Sequence, residues 1–158
     1  MMILKLVFGL FLDGVAFFFG FFNQPHAKGF SGHLAVVTNG TNKLGRAIAL
    51  RLAKEKCNVA IVDVDINEAQ SIVDEITQQY DVKAKAFQVD ITNYEAVQNL
   101  KVDVEKSMGT VDVLINNAEI SPANYLHTSD PEMIQKVISF NLTSHFWVKS
   151  KNIITKCV

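Results

Sequence analysis

The stretch Leu34-Ala35-Val36-Val37-Thr38-Asn39-Gly40-Thr41-Asn42-Lys43-Leu44-Gly45-Arg46 reads as a short apolar strand, a polar turn and the start of a helix. Five residues without a charge, bounded by turn formers, are a strand buried on both faces. Leu44–Lys54 follows as an amphipathic helix with Leu44, Ala47, Ile48 and Leu52 on one face. The same alternation continues downstream. Val59–Val62 is a second strand closed by Asp63, and Ala69, Ile72, Val73 and Ile76 mark a helix on Asn67–Tyr80. Ala84–Val89 is a third strand, and Val97, Leu100, Val104 and Met108 mark a third helix. Val111–Ile115 is a fourth strand, and a last helix starts at Pro131 behind the cap Ser129-Asp130. Strands alternating with helices of this length require right-handed crossovers and a parallel sheet.

The turn after the first strand carries the chemistry. Backbone N–H groups at a helix start, approached without side chains in the way, hold a pyrophosphate against the helix dipole. Glycines such as Gly40 and Gly45 serve this by clearing space. Asp63, at the end of the second strand, is placed to accept hydrogen bonds from a ribose 2′-OH, with Asp65 as a neighbour able to share that role. The simpler reading of Asp63 is a solvated turn carboxylate, and that of Asp90 is a cap for the helix that follows. The simpler reading of Asn141 is a polar residue bonding back to its own helix.

The segments Thr38–Gly45, Asp90-Ile91-Thr92 and Asn116-Asn117-Ala118 together resemble the motifs of the short-chain dehydrogenase/reductase family. The resemblance covers roughly residues 29–148. It implies a Rossmann-like fold: four βα units in the order 3-2-1-4, the N-terminal portion of a doubly wound sheet. It also implies a cofactor site formed by Thr38, Asn39, Gly40, Lys43, Leu44, Gly45, Asp63, Asp90, Ile91, Asn117 and Ala118. Asp63 favours NAD over NADP, whose 2′-phosphate it would repel. Three positions depart from the family pattern. Asn39 and Lys43 replace the first two glycines of Thr-Gly-x-x-x-Gly-Ile/Leu-Gly, and Glu119 replaces the glycine of Asn-Asn-Ala-Gly. Lys43 and Glu119 add bulk beside the nucleotide and are expected to weaken its binding; the alternative for Lys43 is an ammonium that binds a phosphate as a point charge. Asn141 stands where the family has the Asn of its catalytic tetrad. The other members, a Ser and a Tyr-x-x-x-Lys, have no counterpart here: Ala84, Gln98 and Ser129 follow Tyr80, Tyr94 and Tyr125 at the lysine spacing. The resemblance therefore implies a copy truncated before its catalytic groups, with the edge of its fourth strand open to another chain.

Residues 1–22 differ in kind from the rest, being almost wholly apolar apart from Lys5 and Asp13. About 20 apolar residues span a bilayer core, and Asp13 near the centre costs roughly 2.5–3.5 kcal/mol. A hydrophobic anchor helix is the expectation; a cleaved signal peptide and a helix lying in one leaflet are the alternatives. Residues 23–33 read as a linker, 34–147 as the partial dinucleotide-binding domain and 148–158 as a divergent tail. With Asp63 and the run Asn141-Leu142-Thr143-Ser144-His145-Phe146-Trp147, this N-terminus is similar to the membrane-associated retinol and 17β-hydroxysteroid dehydrogenase branch. That likeness implies the endoplasmic reticulum or lipid droplets, with the domain facing the cytosol. It also implies lipid alcohols as substrates and pairing with a second copy or a full-length relative. Fifteen Lys and Arg balance 16 Asp and Glu, so no basic surface points to nucleic acid. The two cysteines and four histidines are scattered and give no metal-ligand spacing. Three functions follow: an oxidoreductase acting on CH–OH groups, a non-catalytic nucleotide-binding or dimerising pseudoenzyme, and an inert truncated product.

Overall fold

A computed structural model describes residues 29–121 and 130–150. Four parallel strands, β1 (Leu34–Thr38), β2 (Asn58–Asp63), β3 (Ala84–Gln88) and β4 (Val113–Ile115), lie in the order β3-β2-β1-β4. This is the expected Rossmann-like arrangement. Helix α1 (Lys43–Lys54) joins β1 to β2, α2 (Ile66–Gln79) joins β2 to β3, and α3 (Tyr94–Met108) joins β3 to β4. After β4 come α4 (Pro131–Ile138), a π-helical turn over Ser139–Thr143, and α5 (Ser144–Ser150). The expected N-terminal anchor helix lies outside the described residues. No helix among those described is long and apolar enough to cross a membrane.

Strand alternation divides the core between the two faces of the sheet. Ala35 and Val37 of β1, with Val59 and Ile61 of β2, face α1 and α2 and pack on Ala49, Leu52, Ile72 and Ile76. Leu34, Val36, Ala60 and Val62 face the other side and pack on Val97, Leu100 and Val104 of α3 and on Val148 of α5. β1 is buried along its length and β2 from Val59 onward, as their apolar runs Leu34–Thr38 and Val59–Val62 require. Edge strand β4 is only half buried. Tyr94 and Trp147 meet edge to face, with ring centroids 5.6 Å apart, where α3 and α5 pack together.

The face of α1 differs from the one expected. Leu44 is 61% exposed and Ala47 is also exposed; the buried face is Gly45, Ala49, Leu52 and Ala53. Leu44 falls in the first helical turn, past the C-terminal ends of the strands, where there is no sheet for it to cover. Three small residues instead let the helix approach β1 and β2 closely. The caps are polar side chains in extended backbone, as helix entry demands. Asn42 accepts from the N–H of Gly45, Asp65 from those of Asn67 and Glu68, Asn93 from that of Ala96, and Asp130 from that of Met133. Asp65 caps α2 through Oδ1 alone, and Asn93, rather than Asp90, caps α3.

Cys57, just before β2, is fully buried and free. Burial is the main cause that pushes its thiol pKa from 9.0 up to about 11; Asp112 adds to the rise, and a backbone hydrogen bond at Ala35 opposes it. The folded chain therefore keeps a proton that the unfolded chain releases between those values, and stability declines as pH rises through that window. Denaturant midpoints measured at successive pH values should show this decline in the wild type, and Cys57→Ala should flatten it. Iodoacetamide at pH 8 should leave Cys57 unmodified until denaturant is added, as read by peptide mass spectrometry.

Candidate functional site

The carboxyl ends of β1 and β4 are tied together by two side chains. The buried Thr38 hydroxyl donates to Ile115 O (3.3 Å) and accepts from the N–H groups of Asn117 (3.1 Å) and Ala118 (3.3 Å). One donor and two acceptor sites are all a hydroxyl has, so Thr38 is saturated. Asn117 answers from the other side. Its Nδ2 donates toward Thr38 O at 3.2 Å, Asn39 O at 2.9 Å and Asn42 Oδ1 at 3.2 Å. The turn that begins α1 and the segment that leaves β4 are held as one unit.

Within that unit the turn is open to a ligand. Asn39 has φ +50°, the left-handed region in which Asn, like the glycine it replaces in the family pattern, is tolerated. A Cβ on Gly45 would lie 2.6 Å from Asn39 O, 2.7 Å from Asn117 Nδ2 and 2.8 Å from the Gly40 Cα. One on Gly40 would lie 2.6 Å from Cγ2 of Ile61. Both positions therefore exclude any larger residue. Thr41 N–H bonds to Asp63, that of Asn42 to Asn39 O, and that of Gly45 to the Asn42 side chain. Among the described residues the N–H groups of Lys43 and Leu44 are paired with no acceptor. They are the two positions from which α1 can bind an anion. The Lys43 side chain is exposed at the first helical position.

Two clefts meet at Ala118. The first is lined by Asn39, Val62, Asp63, Val64, Val89, Asp90, Ile91, Ala118 and Phe140. It has apolar walls, with Asp63 and Asp90 contributing carboxylates. Asp63 is 5% exposed and accepts hydrogen bonds from Thr41 and from Asp65 N–H. Asp90 is exposed and takes the N–H (2.8 Å) and hydroxyl (2.6 Å) of Thr92 in a local turn. The second cleft is lined by Leu44, Asn116, Asn117, Ala118, Glu119, Asn141 and His145. Glu119 is exposed at its edge.

Asn141 lies in the π-helical turn and does not bond back to its own helix. Its Oδ1 accepts from Ile120 N–H at 2.8 Å and its Nδ2 donates to Ile120 O at 2.9 Å. One helical turn further on, His145 Nε2 lies 2.7 Å from Ala118 O. Together the two side chains grip the backbone that follows β4. His145 has no signal in the sequence beyond its position after Asn141, and sequence reasoning missed it. The candidate residues Thr38, Asn39, Gly40, Lys43, Leu44, Gly45, Asp63, Asp90, Ile91, Asn117, Ala118 and Asn141 all fall at the carboxyl end of the sheet. Among the described residues no group of His, Cys, Asp or Glu is arranged to hold a metal.

A parallel sheet whose strand order reverses beside β1, with a glycine-bearing turn and both clefts at that reversal, is a dinucleotide-binding α/β fold. Residues 33–154 match the family model described as short chain dehydrogenase. The chain belongs to that family. It is 33% identical over 123 residues to L-rhamnose 1-dehydrogenase (NADP(+)) of Thermoplasma acidophilum, covering 77% of this chain and 48% of the relative. It is 29% identical over 129 residues to human 17-beta-hydroxysteroid dehydrogenase 13, covering 81% of this chain and 42% of the relative. Among solved structures, a metagenomic short-chain oxidoreductase in complex with NADP is 26% identical at a TM-score of 0.72, covering 78% of this chain and 56% of that one. L-sorbose reductase from Gluconobacter frateurii, complexed with NADPH and L-sorbose, shares the fold at a TM-score of 0.73 and 24% identity, covering 78% of this chain and 47% of that one. The chain spans about half the length of the curated relatives it matches.

Thr38→Val removes the saturated hydroxyl and leaves Asn117 N–H, Ala118 N–H and Ile115 O without it. It should lower unfolding free energy by about 1–3 kcal/mol, measured from urea midpoints, while Thr38→Ser should recover most of the loss.

Proposed function

We propose that this chain carries the cofactor-holding half of an NAD(P)-dependent oxidoreductase acting on CH–OH groups. The observation that carries this reading is the turn of Thr38–Gly45, with two unpaired N–H groups at the head of α1 and two glycines that admit no Cβ. The pyrophosphate would sit at the N–H groups of Lys43 and Leu44, and the Lys43 ammonium would add a point charge. The adenosine would enter the apolar cleft between Asp63 and Asp90, and the nicotinamide the cleft at Asn117, Ala118 and exposed Leu44. Bound nicotinamide supplies or accepts a hydride. This chain's residues bind and orient it: Asn141 and His145 fix the backbone at Ala118 and Ile120 against which it would rest. Asp63 favours NAD, whereas the rhamnose dehydrogenase and the metagenomic oxidoreductase carry NADP in their names. The likeness to 17-beta-hydroxysteroid dehydrogenase 13 supports lipid alcohols of retinol or steroid type as the substrate class.

Residues 1–158 contain no Tyr followed at the right spacing by Lys, so the general acid–base step of the family is not carried within them. What these residues do alone is hold the nucleotide without turning it over. Titrating the full 158-residue chain in detergent with NADH should give a saturable fluorescence enhancement. Gly45→Ala, confirmed as folded by thermal melting, should abolish it. A wild-type chain that leaves NADH and NADPH fluorescence unchanged at millimolar nucleotide would sink the proposal.

We also propose that residues 1–22 attach the domain to the endoplasmic reticulum or lipid droplets, on their apolar composition. Alkaline extraction should leave the full chain in the membrane pellet and release a chain lacking residues 1–22. A second reading, pairing with another family member, is favoured by one surface. Ile138, Leu142 and Phe146 recur about one helical turn apart and are 44%, 54% and 63% exposed. Such a stripe is what an association face offers.

A further inference from the structure

Asp63 closes β2 inside the adenosine cleft, and its two oxygens are unequally occupied. Oδ2 accepts from the backbone N–H of Thr41 at 3.1 Å and from the Thr41 hydroxyl at 2.7 Å. Oδ1 accepts only the N–H of Asp65, at 3.2 Å. A carboxylate oxygen takes about two hydrogen bonds. One residue, Thr41, therefore fills Oδ2, while Oδ1 keeps a single place. Resting on the nucleotide-binding reading above, in which Asp63 receives the ribose, we infer that Thr41 is a specificity-determining residue. Its hydroxyl competes with the adenosine ribose for Asp63 and blunts the preference for NAD over NADP.

Two physical effects act in the same direction. With Oδ2 filled, a ribose offering two neighbouring hydroxyls finds one acceptor site on Asp63 instead of a pair. The Thr41 O–H dipole also points its positive end at the carboxylate, so a 2′-phosphate placed there meets a weaker negative field. The backbone N–H of Thr41 stays whatever the side chain. The hydroxyl is thus the separable part, and its removal frees one lone pair without untying the turn. A hydroxyl that served only to brace the turn would behave differently, because its loss would weaken both nucleotides alike.

The test uses the full chain in detergent and compares dissociation constants for NADH and NADPH by fluorescence. Thr41→Val should raise the preference for NADH over NADPH about fivefold to tenfold, the range expected for one ordinary hydrogen bond exchanged against water. Thr41→Ser, which keeps the hydroxyl, should restore the wild-type ratio. In an Asp63→Ala background Thr41→Val should leave the ratio where Asp63→Ala puts it. Thr41→Ala lacks the hydroxyl without a β-branch and gives the same readout should Thr41→Val not fold. An unchanged ratio, equal weakening of both nucleotides, or the same shift without Asp63 would overturn the inference. Failure of the wild type to bind either nucleotide removes the nucleotide reading itself, and this inference with it.

Discussion

The bond between Thr38 and Asn117 is the constraint on which the rest of the site depends. β1 and β4 are paired through only three positions, and backbone ladders this short do not fix what lies beyond their ends. The Thr38 hydroxyl extends the pairing past the last ladder bond, and the Asn117 carboxamide reaches back across β1 into the turn. Because these groups are buried or half buried, each depends on the others for satisfaction. The turn, the start of α1 and the exit from β4 consequently adopt one geometry together.

That geometry decides what the carboxyl end of the sheet offers. The capping side chain of Asn42 consumes the N–H of Gly45 and also meets Asn117, so the cap of α1 belongs to the same network. Two N–H groups remain at the helix head, with the positive end of the dipole behind them. Lys43 adds to that field at one side, and the exposed carboxylate of Glu119 opposes it at the other. Of the three departures from the family pattern, Lys43 and Glu119 are exposed, so water screens them more than it does the buried Asp63.

The fold was legible because its signals are redundant. Uncharged runs such as Leu34–Thr38 and Val59–Val62 are bounded by turn formers or a charge, and the spacing of Ala69, Ile72, Val73 and Ile76 matches the buried face of α2. Leu44 was misread for a definite reason. Periodicity counts a leucine as core, but core requires a sheet beneath it, and α1 begins beyond the strand ends. Gly45, Ala49 and Ala53 carry the contact instead, and small residues leave little trace in a hydrophobic pattern. The positions of Asp63, Asp90, Asn117 and Asn141 were accessible from the motifs they stand in. Their partners were not: the Thr41 bond to Asp63, the Asp65 cap and the grip of Asn141 on Ile120 all depend on backbone directions set by tertiary packing.

The π-helical turn at Ser139–Thr143 acts as a phase shifter for everything after it. Each added residue rotates the continuing helix by about 100°. With the extra residue accommodated there, Val148 points into the core, His145 points at Ala118 and Phe146 points away from both. Shortening the segment by one residue would turn those three side chains together, drawing the imidazole off its carbonyl and carrying the valine out of the interior. Deleting Leu142 or Thr143 would thus reshape the second cleft, by displacing His145, without removing any side chain that lines it.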